Sequence, residues 1–506
     1  MESVARLKLR PDKLRELAET LLKMLDLIDK IRQADVELLA LLKGLEGGYI
    51  EPGPSGSLTR GKFEILPTGR NFYAVDPRCL PTPAAWEIGV KCATKLLEEY
   101  YARHGAYPES VGMVLWSIDA YKADGEQLAA ILYLLGVRPV WGSDGSVVDL
   151  EVIPLEELGR PRIDVVVRIS GIVRDTLPNY VYLIDRAVCK VVSLDEPPEM
   201  NYVRKHYLEN LKSLIELGRR ADEAEELARC RIFAEPPGAY GAGVNYAVEA
   251  SAWRTIEDLG KVWLSWSSYA YTSRAFGKPA PDALVLNLRN VQVVARNHPS
   301  DEHDILNCCC YFAYHGGFHA AVRAVTGRDV DIVQIDTTDV SRIEVRDIRL
   351  EIERIVRAKL LNRRWIEEMK KHGYSGASEI SRKILHLYGW ASTTGKVPDW
   401  VFTEIAKTYV LNEDMRRWFM QENKYALEEI ARRLLEAAKR GVWKAPSDIV
   451  RKLEEAYAEV EASLEDEVTG EVQGGTITIY TADNCEDYAR LVRDVELVLD
   501  KVKRGH

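Results

Sequence analysis

The sequence predicts a multi-domain α/β protein: a parallel-sheet α/β core followed by a mainly helical region with short strands. Three observations predict it. The run Ile163–Ile169 is rich in β-branched residues, the pattern of a strand inside a parallel sheet. Ahead of it, Val111–Trp116, Glu126–Leu135 and Arg138–Trp141 alternate as strand, helix and strand, which implies crossover connections. Beyond Asn201, charged amphipathic segments at 203–229, 346–371 and 412–440 dominate.

In chain order, Pro11–Leu45 carries leucines and isoleucines at helical spacing and reads as a helical hairpin or two consecutive amphipathic helices. Gly47–Gly61 is rich in Gly, Pro and Ser and should be loop, either a linker or, given Tyr49 and Arg60, a functional one. A helix is expected at Ala84–Arg103. Short strands are expected at Ala283–Leu288 and Asp331–Ile335, a hairpin at Thr469–Tyr480 and a closing helix at Glu486–Val502. The expected units are a helical segment 1–46, an α/β core 47–200, a mainly helical region 201–465 and a terminal hairpin and helix 466–506.

The chain has 506 residues, 46% of them hydrophobic, enough for a large core. Its net charge of −10 argues against a nucleic-acid partner, since phosphate backbones require a basic face. No signal-peptide core and no uncharged membrane-length run is present, so a cytoplasmic location and no membrane partner are expected. The eight cysteines form no CxxC pair. The Gly-Lys pairs at Gly61, Gly260, Gly277 and Gly395 lack a following Ser or Thr, so no nucleotide loop is expected and any ATP must be hydrolysed elsewhere.

Five segments concentrate residues able to carry chemistry. In Leu66–Tyr73, continuing to Pro83, Arg70, Asn71 and Arg78 offer donors to a carboxylate, or satisfy loop carbonyls. In Arg168–Asp175, a strand runs into a Ser-Gly turn; Ser170, Arg174 and Asp175 either line a site at the strand's carboxyl end or cap a helix. Pro236–Gly243 reads as a tight turn that follows no clear strand. His303, Asp304, Cys308–Cys310, His315 and His319 lie close in sequence and suit a transition metal, or pack as core. Neighbouring cysteines on one helix or strand point in different directions, so the three are not expected all to bind one ion. His372-Gly373 follows a long helix and offers either a proton acceptor or a helix cap.

The order of these segments is more specific than any one of them. GYIEPGPSGSLTRG from Gly48, then LPTGRNFYAVDPRCLPTPAAWEIG, ILYLLGVRPVW, LGRPRIDVVVRISGIVRDTLPN, PPGAYGAGV, WLSWSSYAYTS, EHDIL, WIEEMKKHGYSGASEI, WASTTGKV and LLEAAKRGVW follow one another. The series, from about Leu38 to Trp443, resembles the carboxy-terminal part of cobaltochelatase large subunits and magnesium-chelatase H subunits. The resemblance implies insertion of a divalent metal, cobalt rather than magnesium from the compact spacing, into a cyclic tetrapyrrole for cobalamin biosynthesis. It implies an AAA+ ATPase partner that binds ATP and Mg2+, and a second chain supplying the family's upstream half.

Carried over by position, His372 matches the family's H-G-Y-x-G-A histidine, implying a catalytic base or ligand. Asp304 matches the first aspartate of E-H-D-L-L-D-S-D-D, with Glu302 and His303 at its opening; His315 and Cys309 complete the metal-ligand candidates. Arg70, Asn71, Arg168 and Arg174 match loop positions suited to substrate carboxylates. This chain departs from the pattern at Asn307-Cys308-Cys309-Cys310, where three carboxylates are lost. That change favours a softer ion, or a non-catalytic tetrapyrrole- or corrinoid-binding carrier on the same fold.

Overall fold

The computed structural model describes residues 10–73, 75–465, 493 and 495–501. Its centre is an eight-stranded mixed sheet. In chain order the strands are β1 (Ser110–Leu115), β2 (Asp164–Ile169), β3 (Ile232–Ala234), β4 (Tyr269–Tyr271), β5 (Phe276–Pro279), β6 (Val291–His298), β7 (Asp331–Asp336) and β8 (Glu344–Asp347). They lie side by side as β8-β7-β6-β1-β2-β3-β4-β5. The five central strands, β7 to β3, pair in parallel. The outer strands β8, β4 and β5 join by antiparallel pairing.

Both faces of the sheet are covered, which explains the unbroken apolar strands. Val111, Met113, Leu115, Val165, Val167 and Ile169 pack with Leu96, Leu128 and Ile184 of three helices on one face. The alternate residues Val114, Val166 and Val294 join Trp263, Leu284 and Phe318 on the other. Gly112 in β1 is required here, because a Cβ would lie 2.7 Å from the Phe318 ring. The second face continues into a helical bundle built from Gly373–Thr394, Lys424–Lys439 and Ser447–Glu465.

Several expectations need correction. Arg138–Trp141 does not enter the main sheet; Val137–Trp141 pairs antiparallel with Val147–Val152 in a separate ribbon. Ala283–Leu288 is not a strand but part of the helix Pro281–Leu288, whose residues are all buried, so no periodicity marks it. Pro236–Gly243 does follow a strand, β3, too short to be seen as one. The sheet also crosses the boundary expected near residue 200, drawing six of its strands from the region read as helical. The hairpin at Thr469–Tyr480 lies outside the described residues, as does most of Glu486–Val502; residues 495–501 are helical.

Pro11–Arg32 and Val36–Leu45 are helices, as the spacing predicts, yet neither buries a residue. Leu22, Leu25, Leu38, Leu42 and Leu45 are all more than half exposed. Among the described residues no helix is long and apolar enough to cross a membrane.

Candidate functional site

The chain leaving β1 crosses towards β2, whereas the chain leaving β6 crosses towards β7, on the opposite side. Adjacent strands whose connections diverge leave a crevice at their carboxyl ends, the usual ligand position in open α/β sheets. Trp116 follows β1 there, and Arg296, Asn297 and His298 end β6. Arg296 is buried, its guanidinium 4.6 Å from the Trp116 ring centre and 4.3 Å from that of Tyr311, and its charge is met by Asp119 at 3.0 Å. Buried side-chain atoms without a hydrogen-bond partner cluster here: both amide atoms of Asn297, His298 Nδ1, Arg296 Nη1, Gln127 Oε1 and both amide atoms of Gln334 on neighbouring β7. A core built only for stability pairs such atoms, so their concentration marks a site.

An aromatic line continues from this crevice. Trp116 lies 5.4 Å from Tyr311 and 5.6 Å from Tyr314. The Tyr314 ring carries the Arg168 guanidinium at 4.7 Å. Arg168 is wholly buried: it pairs with Glu235 at 2.6 Å and donates to Ser267 Oγ and the Gly241 carbonyl. Arg174 clasps Asp175 and donates to the Pro236 and Ala239 carbonyls. The two arginines therefore sit together at the ends of β2 and β3, but they are spent on pinning the 235–241 loop. That loop presents Tyr240, 56% exposed, whose hydroxyl donates to Asp175.

Arg70 and Asn71 lie elsewhere. They line a groove of about 1110 Å³ between the helix Val36–Leu45 and a two-stranded ribbon of Pro52–Pro54 and Asn71–Tyr73, with Leu38, Leu41, Tyr49 and Phe72. Arg70 donates to the Leu66 carbonyl at 3.2 Å and, among the described residues, to nothing else. The groove adjoins the crevice through the chain that forms its wall. Just past Gly56, Ser57 Oγ donates to Glu302 at 2.9 Å. Arg60 pairs with buried Glu126 and donates to the Thr337 carbonyl, and Lys62 pairs with Asp124 at 2.5 Å. The glycine- and proline-rich loop is thus fastened across the carboxyl edge of the sheet.

The segment after β6 divides the remaining candidates. Glu302 and His303 are exposed, Glu302 held between Ser57 and Lys122. Asp304 is buried: one oxygen accepts the Leu306 N–H at 2.7 Å, and the other meets Lys359 and Lys383. Burial alone would raise this carboxyl, but the two lysines hold it below the usual range. Both oxygens are occupied in anchoring the turn, so Asp304 is a structural residue here rather than a proton carrier. His315 is also core: it faces Trp390, and burial pushes its imidazole down to about 3, keeping it neutral. The residue is enclosed and shares no metal cluster among the described residues.

His372 caps the end of Arg363–Lys371 and is exposed, and among the described residues its imidazole makes no hydrogen bond. It precedes Lys383 by eleven residues of the helix Gly373–Thr394, about 16 Å along the axis. The two residues expected to be catalytic, His372 and Asp304, therefore do not share a site. Gly373 turns the corner at φ +51, and at Gly376 a Cβ would lie 1.8 Å from the Met369 carbonyl, so these glycines serve the helix junction.

The cysteines overturn a further expectation. Cys308 precedes the first helical turn, and its Sγ accepts the Cys310 N–H at 3.4 Å, so the side chain folds back over that turn. All three sulfurs lie within 4.8 Å of one another. Divergence was expected for a uniform helix or strand; the break between Cys308 and Cys309 removes it. The neighbouring thiols lower the Cys308 pKa against burial, while Cys309 and Cys310 are raised, Cys310 to about 11.

Arg296, Asp119, Trp116, Tyr311, Lys383 and His386 were not foreseen. The one available signal was the polar ending of VQVVARNH, where an apolar run becomes Arg, Asn and His at its carboxyl end.

A parallel sheet with a polar switch-point crevice, overlain by a glycine- and proline-rich loop, is the architecture of a ligand-handling α/β protein. The chain belongs to the CobN/magnesium chelatase family, whose model matches residues 3–450. It is 47% identical over 462 residues to an uncharacterized protein of Methanocaldococcus jannaschii, covering 90% of this chain and 37% of that one. It is 38% identical over 426 residues to the aerobic cobaltochelatase subunit CobN of Pseudomonas aeruginosa, covering 84% and 34%. It is also 38% identical over 455 residues to the chloroplastic magnesium-chelatase subunit ChlH of Oryza sativa subsp. indica, covering 89% and 32%. Among solved structures, the catalytic subunit of cobaltochelatase from Mycobacterium tuberculosis superposes with a TM-score of 0.80 at 41% identity, covering 84% of this chain and 36% of that one. The chain thus spans about a third of the length of these relatives.

Proposed function

We propose that this chain is the part of a metal-chelatase large subunit that holds a cyclic tetrapyrrole while a divalent ion, cobalt, enters it. The observation that carries the reading is the family match across residues 3–450, in which both named groups of relatives are chelatase subunits. ATP is hydrolysed by a AAA+ partner, and the rest of the family's length, in the same or a second polypeptide, completes the enzyme.

Chemistry divides the roles. A tetrapyrrole is flat, largely apolar and edged with carboxylates. The groove beside Val36–Leu45 has the size and the lining for such a ligand, with apolar walls and a few polar groups. Arg70 retains N–H groups for a carboxylate and Asn71 is exposed beside it. Arg168 and Arg174 act at one remove, by fixing the loop that carries Tyr240. Metal insertion removes two pyrrole protons and strips water from the ion, so it needs a base and ligands. His372, exposed and with its imidazole unbonded, is the proposed base; it meets the ring on a surface completed by the rest of the subunit. Glu302 and His303 are the proposed oxygen and nitrogen ligands where the groove meets the crevice.

The test is insertion of Co2+ into a cyclic tetrapyrrole, followed by the macrocycle's absorbance, with the chain, the remaining family length, the ATPase and ATP present. The expected result is ATP-dependent conversion, slowed about 100-fold in His372→Ala with no loss of folding, since general-base removal costs on this scale. A ring spectrum that never changes would sink the enzyme reading. If the ring binds tightly but stays metal-free, the carrier reading replaces it; the thiols at 308–310, where the family pattern has carboxylates, favour that second reading.

A further inference from the structure

We infer that Cys308, Cys309 and Cys310 form a three-thiolate binding site for one thiophilic divalent ion. The sulfurs lie within 4.8 Å of one another. A tetrahedral zinc or cobalt thiolate site, with metal–sulfur bonds of about 2.3 Å, places its sulfurs about 3.8 Å apart. Each pair of sulfurs needs to approach by at most about 1 Å to reach that spacing. Each cysteine is half-buried, neither sealed in the core nor fully open, so an ion can reach the sulfurs and then lose its water.

The turn that carries the thiols is itself held in place. His386 is buried, and its Nδ1 donates to the Leu306 carbonyl at 2.7 Å, two residues before Cys308. Lys383, one helical turn away, already neutralises Asp304, so the adjoining charge is balanced before any ion arrives.

The ligand set selects the ion. Thiolates suit Co2+, Zn2+ or Ni2+ and reject Mg2+, which demands oxygen ligands. On binding, the thiols release their protons to solvent and each sulfur donates its lone pair to the ion. The helix that follows opens with a π-helical segment, Tyr311–Gly316, which carries Tyr311 and Tyr314 of the crevice. The site therefore stands one turn from the aromatic line. That the ion is cargo for the macrocycle rests on the chelatase reading; its binding does not.

The test uses the full chain, reduced and under anaerobic conditions, titrated with Co2+ alone, without macrocycle or ATP. The expected result is a sulfur-to-cobalt charge-transfer band that saturates at one equivalent, is displaced by Zn2+ and persists in excess Mg2+. Cys309→Ser should lower the band by about one thiolate in three, and Cys308→Ser combined with Cys310→Ser should abolish it. Should either variant fold poorly, mapping of thiol alkylation on the unaltered chain decides: Zn2+ should protect the peptide bearing 308–310 and leave Cys189 reactive. Absence of the band at one equivalent, or equal alkylation of that peptide with and without Zn2+, would overturn the site, whatever becomes of the chelatase reading.

Discussion

Single side chains already separate what holds this protein together from what it can do. Asp304 meets two lysines, and Lys383 is 2% exposed, so removing the carboxylate leaves a buried, uncompensated charge. Asp304→Ala should therefore cost about 3–5 kcal/mol in chemical denaturation, and Asp304→Leu combined with Lys383→Met should recover most of it. A cost under about 1 kcal/mol would show that the pair is not anchored as described. Asp304 was legible in the sequence as special, but the lysines that occupy it lie 55 and 79 residues away, beyond any local pattern.

A second network acts at the amino end of β2. His206 sits between Asp164 at 2.8 Å and Glu109 at 3.0 Å. Burial opposes its charge, but the two carboxylates outweigh burial and raise its pKa. The same hydrogen bond, with help from Lys205 and against burial, holds Glu109 down at about 2. The raised histidine stabilises the fold fully below the unfolded value of about 6.5 and loses that contribution as pH rises through its folded pKa. Glu109 contributes above about 4.3 and loses its share as pH falls towards 2. The unfolding temperature of His206→Gln should thus lie furthest below that of the unaltered chain between these limits and approach it in alkali. A constant gap from pH 5 to 9 would remove His206 as the cause.

At the scale of elements, the strands that stood out in the sequence were those covered on both faces, β1 and β2, because burial leaves a continuous apolar run. β6 lies at the centre of the sheet yet went unread, since its carboxyl end carries Arg296, Asn297 and His298, the residues that make the crevice. The polar ending obscured the element. The 235–241 loop illustrates the converse: its glycines and prolines were visible, but the arginines that fix it come from the β2 end. Arg174 makes charge-assisted bonds to the Pro236 and Ala239 carbonyls. Losing such bonds costs about 1.5–3 kcal/mol, which raises the open population of the loop about tenfold or more. Arg174→Met should accordingly speed limited proteolysis within 236–243 by that factor while cleavage elsewhere is unchanged. Uniform acceleration would mean global destabilisation instead.

The molecule presents a face that, among the described residues, its own fold does not cover. The helix Pro11–Arg32 buries no residue, yet Leu22, Leu25 and Ile31 are each more than half exposed on it. Water penalises such a surface by about 25 cal/mol for each Å² of apolar area, and a stripe of this kind marks an interaction site. The relatives extend this chain's matched length about threefold, so the proposed occupant is the remainder of the large subunit. These leucines do not line the groove that holds Arg70, so changing them leaves the proposed ring seat intact. With the remaining family length supplied as a separate polypeptide, the unaltered chain should retain it through gel filtration. Leu22→Ser combined with Leu25→Ser should weaken the complex by at least about tenfold, because burying a leucine contributes about 1.5–3 kcal/mol. Direct binding of a tetrapyrrole by the isolated chain should be the same in both. If the variant keeps its partner at full strength, this face is not the junction; if it loses the ring as well, the groove and the leucine stripe are one surface.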